Sequence, residues 1–401
     1  MRFVQFADCH LDSVIGGALG LPDAKKAELR EDIRRSVVSA CALAADRGAD
    51  IVLIPGDLFD YECLRLETVA FLVDLFRGLA PIRVFIAPGN HDSLRPGSPY
   101  LPGSGVDWPE NVHVFTSGEF ETVVVDELEC AVTGVAHAHR GITDRLLARP
   151  VPRTDARANI LLFHGSRDGH RPAEKENVIP FADQELAGQG FAYAAVGHYH
   201  SFGQITDTAL RPFDKLRAQD ERVIGAYSGC VQGRGLDETG EKFAVVGEID
   251  PESRVTLERV EVARRRIVTV EVDLTGASST SSALARIENR IAESGARKQD
   301  IVNISLRGAL ASGVEVDIAG LESSDRHFHV RVSRSRLEAD YDLEALLTGS
   351  AAAPLRSGFV RRMVELRNTA RNEDEADVLG DAVYYGLAAL DGRRLEPRDV
   401  D

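Results

Sequence analysis

The chain has 401 residues, of which 44% are hydrophobic and 27% charged; this is the composition of a globular protein with two or three domains and excludes a disordered chain. Acidic residues outnumber basic ones by 63 to 47, and the resulting net charge of −16 excludes a broad basic surface for non-specific binding of nucleic acid. The five scattered cysteines and the absence of a signal peptide or membrane span at the N-terminus predict a cytoplasmic protein with reduced thiols and no structural zinc.

Short apolar runs, each followed at once by polar or turn residues, predict buried β-strands in the first 200 residues. Residues 25–47 and 64–77 instead carry apolar side chains at a spacing of three to four, which predicts two amphipathic helices that each end at a glycine. Alternation of strands and helices predicts parallel strands joined by crossover helices. The predicted strands lie at 2–7, 51–55, 82–87, 159–163 and 193–197.

The rest of the chain divides by pattern into three further regions. Strand patterns outnumber helical ones from 112 to 261, whereas a strand, helix, strand order after Arg264 predicts a small α+β domain. The run GSAAAP at 349–354 has the composition of a linker, and two helical patterns follow it. We therefore predict domains at 1–262 and 263–348 and a helical segment at 355–401.

Side chains that can ligate metals follow every predicted strand of the first 200 residues. A lone histidine is more often a surface or core residue than a ligand, but structural needs do not explain this joint pattern. The carboxyl ends of the strands in an open α/β sheet form one crevice, so we expect these side chains to converge. They are Asp8 and His10 after the first strand, Asp57 after the second, Asn90, His91 and Asp92 after the third, His164 after the fourth, and His198 and His200 after the fifth.

The chemistry of these side chains predicts a two-metal site. Carboxylate and amide oxygens mixed with imidazoles, without a thiolate, suit a divalent cation such as Mn²⁺, Fe²⁺ or Zn²⁺, of which we expect Mn²⁺. We count seven of these nine side chains as candidate ligands, which is too many for one tetrahedral site and enough for two metal ions that share a carboxylate. Such a pair is used for in-line attack on phosphorus.

At these positions the sequence resembles the calcineurin-like metallophosphoesterase superfamily, whose signature D-x-H, G-D, G-N-H-D, H and G-H-x-H is complete and in order. Within the superfamily it is similar to the SbcD branch, which includes the meiotic-recombination-eleven nuclease and YhaO-type proteins. The runs that carry this similarity are DCHLDS at 8–13, GDLFD at 56–60, GNHDS at 89–93, FAYAAVGHYH at 191–200 and YSGCVQGRGLDETGEKF at 227–243.

The resemblance implies a two-sheet αββα sandwich with a small α+β capping domain and C-terminal helices. It implies 3′-to-5′ exonuclease and endonuclease activity on DNA, and docking of the C-terminal helices on an SMC-like coiled-coil ATPase. Residues 1–262 would then be the nuclease domain, 263–348 the capping domain and 355–401 the docking segment. A homodimer is compatible with this organisation, and no membrane association is expected.

The resemblance also implies roles for individual residues. His91 would be the catalytic histidine, and we expect Asp92 to orient it. Asp60 is equally compatible with a site role and a cap after the strand, Cys9 is expected to pack away from the metals, and His170 lies in a loop that could reach the site. Asp8, His10 and His200 would hold one metal ion, Asn90, His164 and His198 the other, and Asp57 would bridge them.

Two other functions stay open at this point. The same site could serve a phosphoesterase that acts on a nucleotide or cyclic nucleotide, although such a substrate does not need the extra C-terminal units. The chain could also be an idle scaffold for an ATPase, although an idle site would be expected to have lost ligands. Arginines at 264–266 and within 326–336 could track a phosphate backbone or form a solvated face.

Overall fold

The computed structural model describes residues 1–170, 172, 175–207, 222–310, 316–339, 341, 343–348 and 354–390. The chain divides into two units, Met1–Ile267 and Val268–Asp401. Residues 349–353 of the predicted linker and 391–401 of the predicted docking segment lie outside the described residues. The three-way division made from the sequence stays a prediction.

The first unit is built on two mixed sheets. The strands are β1 (Arg2–Gln5), β2 (Ile51–Ile54), β3 (Arg83–Ile86), β4 (Val112–Val114), β5 (Glu121–Val125), β6 (Cys130–Gly134), β7 (Ala158–His164), β8 (Tyr193–Gly197), β9 (Gly203–Asp207), β10 (Arg222–Tyr227), β11 (Phe243–Ile249) and β12 (Val255–Glu261). Among the described residues, one sheet has the order β12-β11-β1-β2-β3-β4 and the other β5-β6-β7-β8-β10-β9. The first sheet is parallel from β1 to β4 and antiparallel from β1 to β12. The second has a parallel centre and one antiparallel pair at each edge.

Helices cover the outer sides of both sheets. Helix α1 (Asp23–Asp46) contacts β1, β2 and the neighbouring α2 (Leu66–Arg77), and α3 (Asp183–Gln189) contacts β9. The buried face of α1 carries apolar residues at the predicted spacing of three to four, such as Ile33, Val37 and Cys41. The predicted two-sheet αββα sandwich is therefore confirmed.

The core of the first unit lies between the sheets. Alternate residues of the first sheet, including Phe3 and Leu53, pack against Val132 and Leu162 of the second. A buried amide crosses this apolar interface: Gln5 donates from Nε2 to the carbonyls of Val196 (3.3 Å) and Ala226 (2.8 Å). Its Oε1 accepts the hydroxyl of Tyr193 at 2.5 Å. This amide ties β1 to β8 and β10.

The second unit has a three-stranded sheet with an apolar core and a separate helical cluster. Strand β14 lies between β13 and β15, and Ile287 of α4 packs with Val302 and Ile304 of β14. Residues of the last helices form their own cluster around Val360 and Val383. The elements are β13 (Ile267–Asp273), α4 (Thr280–Glu293), β14 (Ile301–Leu310), α5 (Ile318–Glu322), β15 (His329–Ala339), α6 (Leu343–Thr348), α7 (Pro354–Asn368) and α8 (Glu373–Leu390).

The C-terminal helices pack against each other closely. The ring of Phe359 lies directly over Gly386, where any side chain would collide with it, so part of the predicted apolar stripe is used between α7 and α8. Other apolar side chains of the pair stay open, since Leu355 is 70% and Val378 68% exposed. In the part of the chain that the structure describes, no helix combines the length and apolarity needed to cross a membrane.

Candidate metal centre

The structure brings all seven predicted metal ligands to one rim of the sandwich. Six of them are almost fully buried, and the side chain of His200 is 11% exposed. They come from both sheets: Asp8 and His10 follow β1, Asp57 follows β2 and Asn90 follows β3, whereas His164 ends β7 and His198 and His200 follow β8. Convergence of these side chains is therefore observed, while their role as ligands stays a prediction.

Three of the predicted ligands form one group, called position A here and defined as Asp8, His10 and His200. The Nε2 atoms of the two histidines lie 3.1 Å apart, and Nε2 of His200 is 3.9 Å from Oδ1 of Asp8. The donor atoms of all three residues lie within 4.8 Å of one another. One cation could contact all three.

The second group, position B, is defined as Asn90, His164 and His198. Nε2 of His164 lies 2.9 Å from Oδ1 of Asn90, and the rings of His164 and His198 are 5.1 Å apart. Asp57 lies between the positions, with Oδ2 3.6 Å from Nε2 of His10 and 3.3 Å from Nε2 of His164. Its carboxylate can therefore reach a cation at either position.

The donor set fits divalent metal ions. Besides position A, the donor atoms of Asp8, Asp57 and His164 also lie within 4.8 Å of one another. Two carboxylates, one amide oxygen and four imidazoles offer the oxygen and nitrogen donors that such ions take in proteins. Apart from imidazoles and backbone amides, one cationic group near the buried Asp8 carboxylate is the ammonium of Lys175, whose Nζ lies 2.6 Å from Nε2 of His200.

Four of the predicted ligand residues have strained backbone conformations. Asp8, His10 and Asp57 have φ values of +51°, +46° and +52°, and His198 has +113°. Non-glycine residues rarely adopt such angles, and they cluster at functional sites where the surrounding structure holds them. The adjoining Gly197 permits close approach, because a Cβ there would collide with the carbonyl oxygen of Pro55 and lie 2.8 Å from Nδ1 of His164.

The histidines of the two positions have different hydrogen-bond partners. In position A, Nδ1 of His10 donates to Asp60 (2.6 Å) and Nδ1 of His200 donates to Glu238 (2.5 Å). In position B both partners are neutral backbone carbonyls, since His164 donates to Pro55 (2.9 Å) and His198 to Glu176 (2.8 Å). Such bonds fix the tautomer and the orientation of each ring.

Glu238 and its ion-pair partner Arg234 were not singled out from the sequence. Glu238 is 4% exposed, and its carboxylate accepts Nη2 (2.7 Å) and the backbone amide (2.7 Å) of Arg234. Burial alone would raise the pKa of Glu238, but Arg234 and His200 lower it well below its ordinary value. The available signal was the run at 227–243, which contains both residues.

Asp60, not Asp92, lies beside the predicted catalytic histidine. Nδ1 of His91 is 3.3 Å from Oδ1 of Asp60, and Asp60 thereby contacts both His91 and His10. The expectation that Asp92 orients His91 is wrong, because the Asp92 carboxylate is occupied elsewhere. It accepts the backbone amides of Asp57 (3.1 Å), Leu58 (2.9 Å) and Gly89 (2.6 Å) and the hydroxyl of Tyr100 (3.0 Å).

Asp92 therefore has a structural task, which is to tie the loop after β2 to the loop after β3. Its burial and the nearby Asp57 raise the pKa of Asp92 to about 6. The loop after β3 in turn holds His91, whose backbone amide donates to Oδ1 of Asp57 at 2.9 Å.

Burial and neighbouring charge set the protonation of the cluster. Burial, with Arg234 nearby, lowers the pKa of His10 to about 3, and burial together with His164 lowers the pKa of His198 to about 2. Both imidazoles are thus neutral, which is the form that binds metals. Burial alone would raise the pKa of Asp57, but the charge of His164 lowers it well below its usual value, so Asp57 is ionised. Burial alone would lower the pKa of His164, but Asp57 in turn raises it to about 9.

A cleft of about 550 Å³ opens beside the centre. Asn90, His91, His198 and His200 form one part of its lining, and His170 also lines it, so the loop that carries His170 does reach the site. The cationic side chains in the lining are Arg140, Arg167 and Lys175, and Phe202 contributes an aromatic ring.

Several of the arginines and the cysteine discussed in the sequence analysis make contacts within the protein itself. Arg265 is buried and pairs with Asp32 and Glu28, and Arg266 pairs with Glu261 at 2.6 Å, so these two arginines are engaged with the protein's own carboxylates. Arg326 pairs with Glu288 at 2.8 Å. Cys9 is 1% exposed, and burial raises the pKa of its thiol well above the ordinary value.

Comparison with known proteins places these residues in a family. The family model "Calcineurin-like phosphoesterase" matches residues 1–202. The chain is 32% identical over 250 residues to the uncharacterized metallophosphoesterase YhaO of Bacillus subtilis, covering 60% of this chain and 56% of YhaO. It is 28% identical over 278 residues to the DNA double-strand break repair protein Mre11 of Aeropyrum pernix, covering 66% of this chain and 63% of Mre11.

The chain thus matches less than two thirds of the length of either relative. Among solved structures, a dimetal phosphatase from Danio rerio aligns with a TM-score of 0.36 and 11% identity, covering 66% of this chain and 96% of the phosphatase. The family match spans half of the chain and contains every residue of positions A and B. The protein therefore belongs to the calcineurin-like phosphoesterase family of metal-binding hydrolases of phosphoester bonds, with YhaO and Mre11 of the SbcD-type branch among its homologues.

Proposed function

We propose that this protein is a two-metal-dependent DNA phosphodiesterase, with the exonuclease and endonuclease activities of SbcD-type enzymes of double-strand break repair. The observation that carries the proposal is the position of Asp57 between two groups of imidazoles at the edge of an open cleft, within 3.3 Å and 3.6 Å of them. The printed description of the Aeropyrum pernix relative names DNA double-strand break repair, which supports DNA as the substrate.

The charges near the metal centre affect how a protein with a negative net charge could bind DNA, which is itself a polyanion. The net charge is −16, and of the cationic side chains in the cleft lining Arg140 and Arg167 are paired with Glu176 at 3.2 Å and Asp183 at 2.5 Å. Two bound divalent ions would add four positive charges at its floor. Local attraction for a phosphodiester is therefore compatible with the overall charge.

The chain's own residues would divide the chemistry as follows. Bound at positions A and B, two divalent ions would polarise the phosphoryl group and supply a nucleophile at neutral pH. Asp57 would hold the two positions at a fixed separation. His91, kept in place by Asp60 at Nδ1, would present Nε2 towards the cleft and donate a proton from it to the leaving oxygen.

We propose Mn²⁺ as the working metal, with Fe²⁺ and Zn²⁺ as alternatives. The four imidazoles favour these ions over Mg²⁺, which is held mainly through oxygen ligands and water. Metal-depleted protein restored with each ion in turn, and assayed on the same substrate, tests this choice. Full activity with Mg²⁺ alone would contradict it.

A phosphoesterase for a nucleotide or cyclic nucleotide is the second candidate. Two observations favour it: the net charge of −16 and a cleft of about 550 Å³, a volume in the range of small-ligand pockets. The test is to assay Mn²⁺-loaded protein on linear duplex DNA, single-stranded DNA, cyclic nucleotides and bis-p-nitrophenyl phosphate. Shortening of DNA supports the nuclease; hydrolysis of the small esters alone contradicts it.

We further propose that the C-terminal helices bind an SMC-like coiled-coil ATPase. The exposed apolar side chains Leu355 of α7 and Val378 of α8 support this, because they leave apolar surface on this helix pair that a partner could cover. Affinity purification of the full chain from its own cells should recover the ATPase, and Leu355→Asp with Val378→Asp should abolish that recovery.

Leu66→Asp provides the matched control, since Leu66 is also an exposed leucine, at the start of α2. Recovery of the ATPase that is unaffected by Leu355→Asp and Val378→Asp would contradict the docking proposal. Deletion of residues 355–401 is a less specific test, because it would also uncover Leu343 and Leu347 of α6, which pack in the same cluster.

A further inference from the structure

The histidines of positions A and B are held by groups of different charge. Both imidazoles of position A donate to carboxylates, Asp60 and Glu238. Both imidazoles of position B donate to backbone carbonyls. An anionic partner at the far nitrogen makes an imidazole a stronger donor at the near nitrogen and fixes its direction, whereas a neutral carbonyl does so less.

The Glu238 carboxylate contacts His200 and Arg234. Its Oε1 accepts Nδ1 of His200 at 2.5 Å, and three hydrogen bonds from the side chain and backbone of Arg234 fix the orientation of the carboxylate. Arg234 also neutralises part of the charge of Glu238. The effect of Glu238 is therefore on the direction and basicity of His200 rather than on the net charge of the centre.

At position B the described carboxylate that hydrogen-bonds to a predicted ligand side chain is that of Glu176. Its surroundings differ from those of Asp60 and Glu238 at position A. Glu176 accepts Nδ2 of Asn90 at 3.1 Å, but its side chain is 47% exposed and paired with Arg140. It contacts the amide nitrogen of Asn90, not a ring nitrogen, and water screens it. Asn90 itself is neutral, whereas the equivalent oxygen donor of position A is the carboxylate of Asp8.

We propose that Glu238 and Asp60 are positioning residues that make position A the tighter of the two metal positions, so that the cations load in order, position A first and position B second. The inference rests on the proposed two-metal function only in requiring that both positions bind a cation. It does not depend on whether the substrate is DNA.

Titration of metal-depleted protein with Mn²⁺, followed by the electron paramagnetic resonance signal of the free ion, tests the order directly. Two binding events are expected, and His200→Ala should remove the tighter one while His198→Ala removes the weaker one. Glu238→Gln and Asp60→Asn, which keep the shape of each side chain, should each weaken the tighter event by about 10- to 100-fold and leave the weaker event unchanged.

Glu176→Gln is the matched control and should change the tighter event by less than about threefold, since screened pairs at the surface contribute little. The inference is overturned if His198→Ala removes the tighter event, or if Glu238→Gln and Asp60→Asn leave it unchanged. Should Glu238→Gln fail to fold, Asp60→Asn alone decides, because its partner His10 belongs to the same position. Absence of any Mn²⁺ binding by the unaltered protein would instead contradict the proposed two-metal function.

Discussion

The two units of the molecule differ in the polar side chains that they bury close together. At the rim of the first unit, buried carboxylates such as Asp8, Asp57 and Asp92 lie among buried imidazoles. The core of the second unit, around Ile287, Val302 and Ile304, is apolar. Within the described residues, every cluster of potential metal ligands lies in the first unit. Burying polar groups costs free energy unless they are paired. In the second unit the buried Asp300 is paired with Arg297 at 2.9 Å, whereas the first unit gathers several buried carboxylates and imidazoles in one place, which favours chemistry over stability.

The strongest test of this contrast removes the carboxylate between the two positions. Asp57→Ala should abolish hydrolysis of bis-p-nitrophenyl phosphate and lower the bound metal, because the Asp57 carboxylate lies 3.6 Å from His10 of position A and 3.3 Å from His164 of position B. Elemental analysis after gel filtration measures the metal content. If the variant kept two equivalents of metal, the bridging role of Asp57 would be wrong.

The next test separates chemistry from metal binding within the first unit. His91→Ala should keep the metal content yet lower turnover by about 10²- to 10⁴-fold, the range for a positioned general acid. His170→Ala is the control, since His170 lines the same cleft but its Nδ1 bonds to the backbone carbonyl of Asp168. Loss of metal in His91→Ala would make His91 a ligand instead.

In the second unit the opposite pattern is expected. Ile304→Ala empties part of the apolar core and should lower the free energy of unfolding by about 2–5 kcal/mol. Turnover per folded molecule should stay within about twofold at a temperature below the transition. Leu284→Ala on the exposed side of α4 is the control for a change of the same kind. A large loss of turnover in Ile304→Ala at full folding would mean that the second unit takes part in the chemistry.

The smallest effect is expected at Tyr100, whose hydroxyl contacts the buried Asp92 at the rim. Tyr100→Phe removes the hydroxyl that bonds to Asp92 at 3.0 Å and keeps the buried ring. Because three backbone amides still hold Asp92, thermal unfolding should show a loss of only about 1–2 kcal/mol, near the usual contribution of one hydrogen bond. Retained metal content is expected, and its loss would show that the loops after β2 and β3 depend on this tyrosine.

The sequence was sufficient for the features that follow directly from strand ends. Positions such as Asp8 and His164 could be predicted to converge because parallel strands present their carboxyl ends at one edge. Glu238 could not, since it lies 38 residues after His200 and approaches it through a loop whose path no periodicity records. The partner of His91 was missed for a similar reason: adjacency in sequence suggested Asp92, while the fold places Asp60 there. The contact of Phe359 with Gly386 depends on how two helices cross, which an apolar stripe alone does not specify.

The buried amide of Gln5 has a consequence for the accuracy of the centre. Positions A and B each combine side chains from both sheets. The geometry within each position is therefore set by how the two sheets are aligned across their apolar interface. Dispersion and hydrophobic contacts are not directional and permit small lateral slips. Gln5, three residues before Asp8, makes directional bonds to β8 and β10 at 3.3 Å and 2.8 Å. Gln5 thereby fixes the alignment of the two sheets. Without it the sandwich could remain folded while the side chains of each metal position lay at the wrong distances from one another.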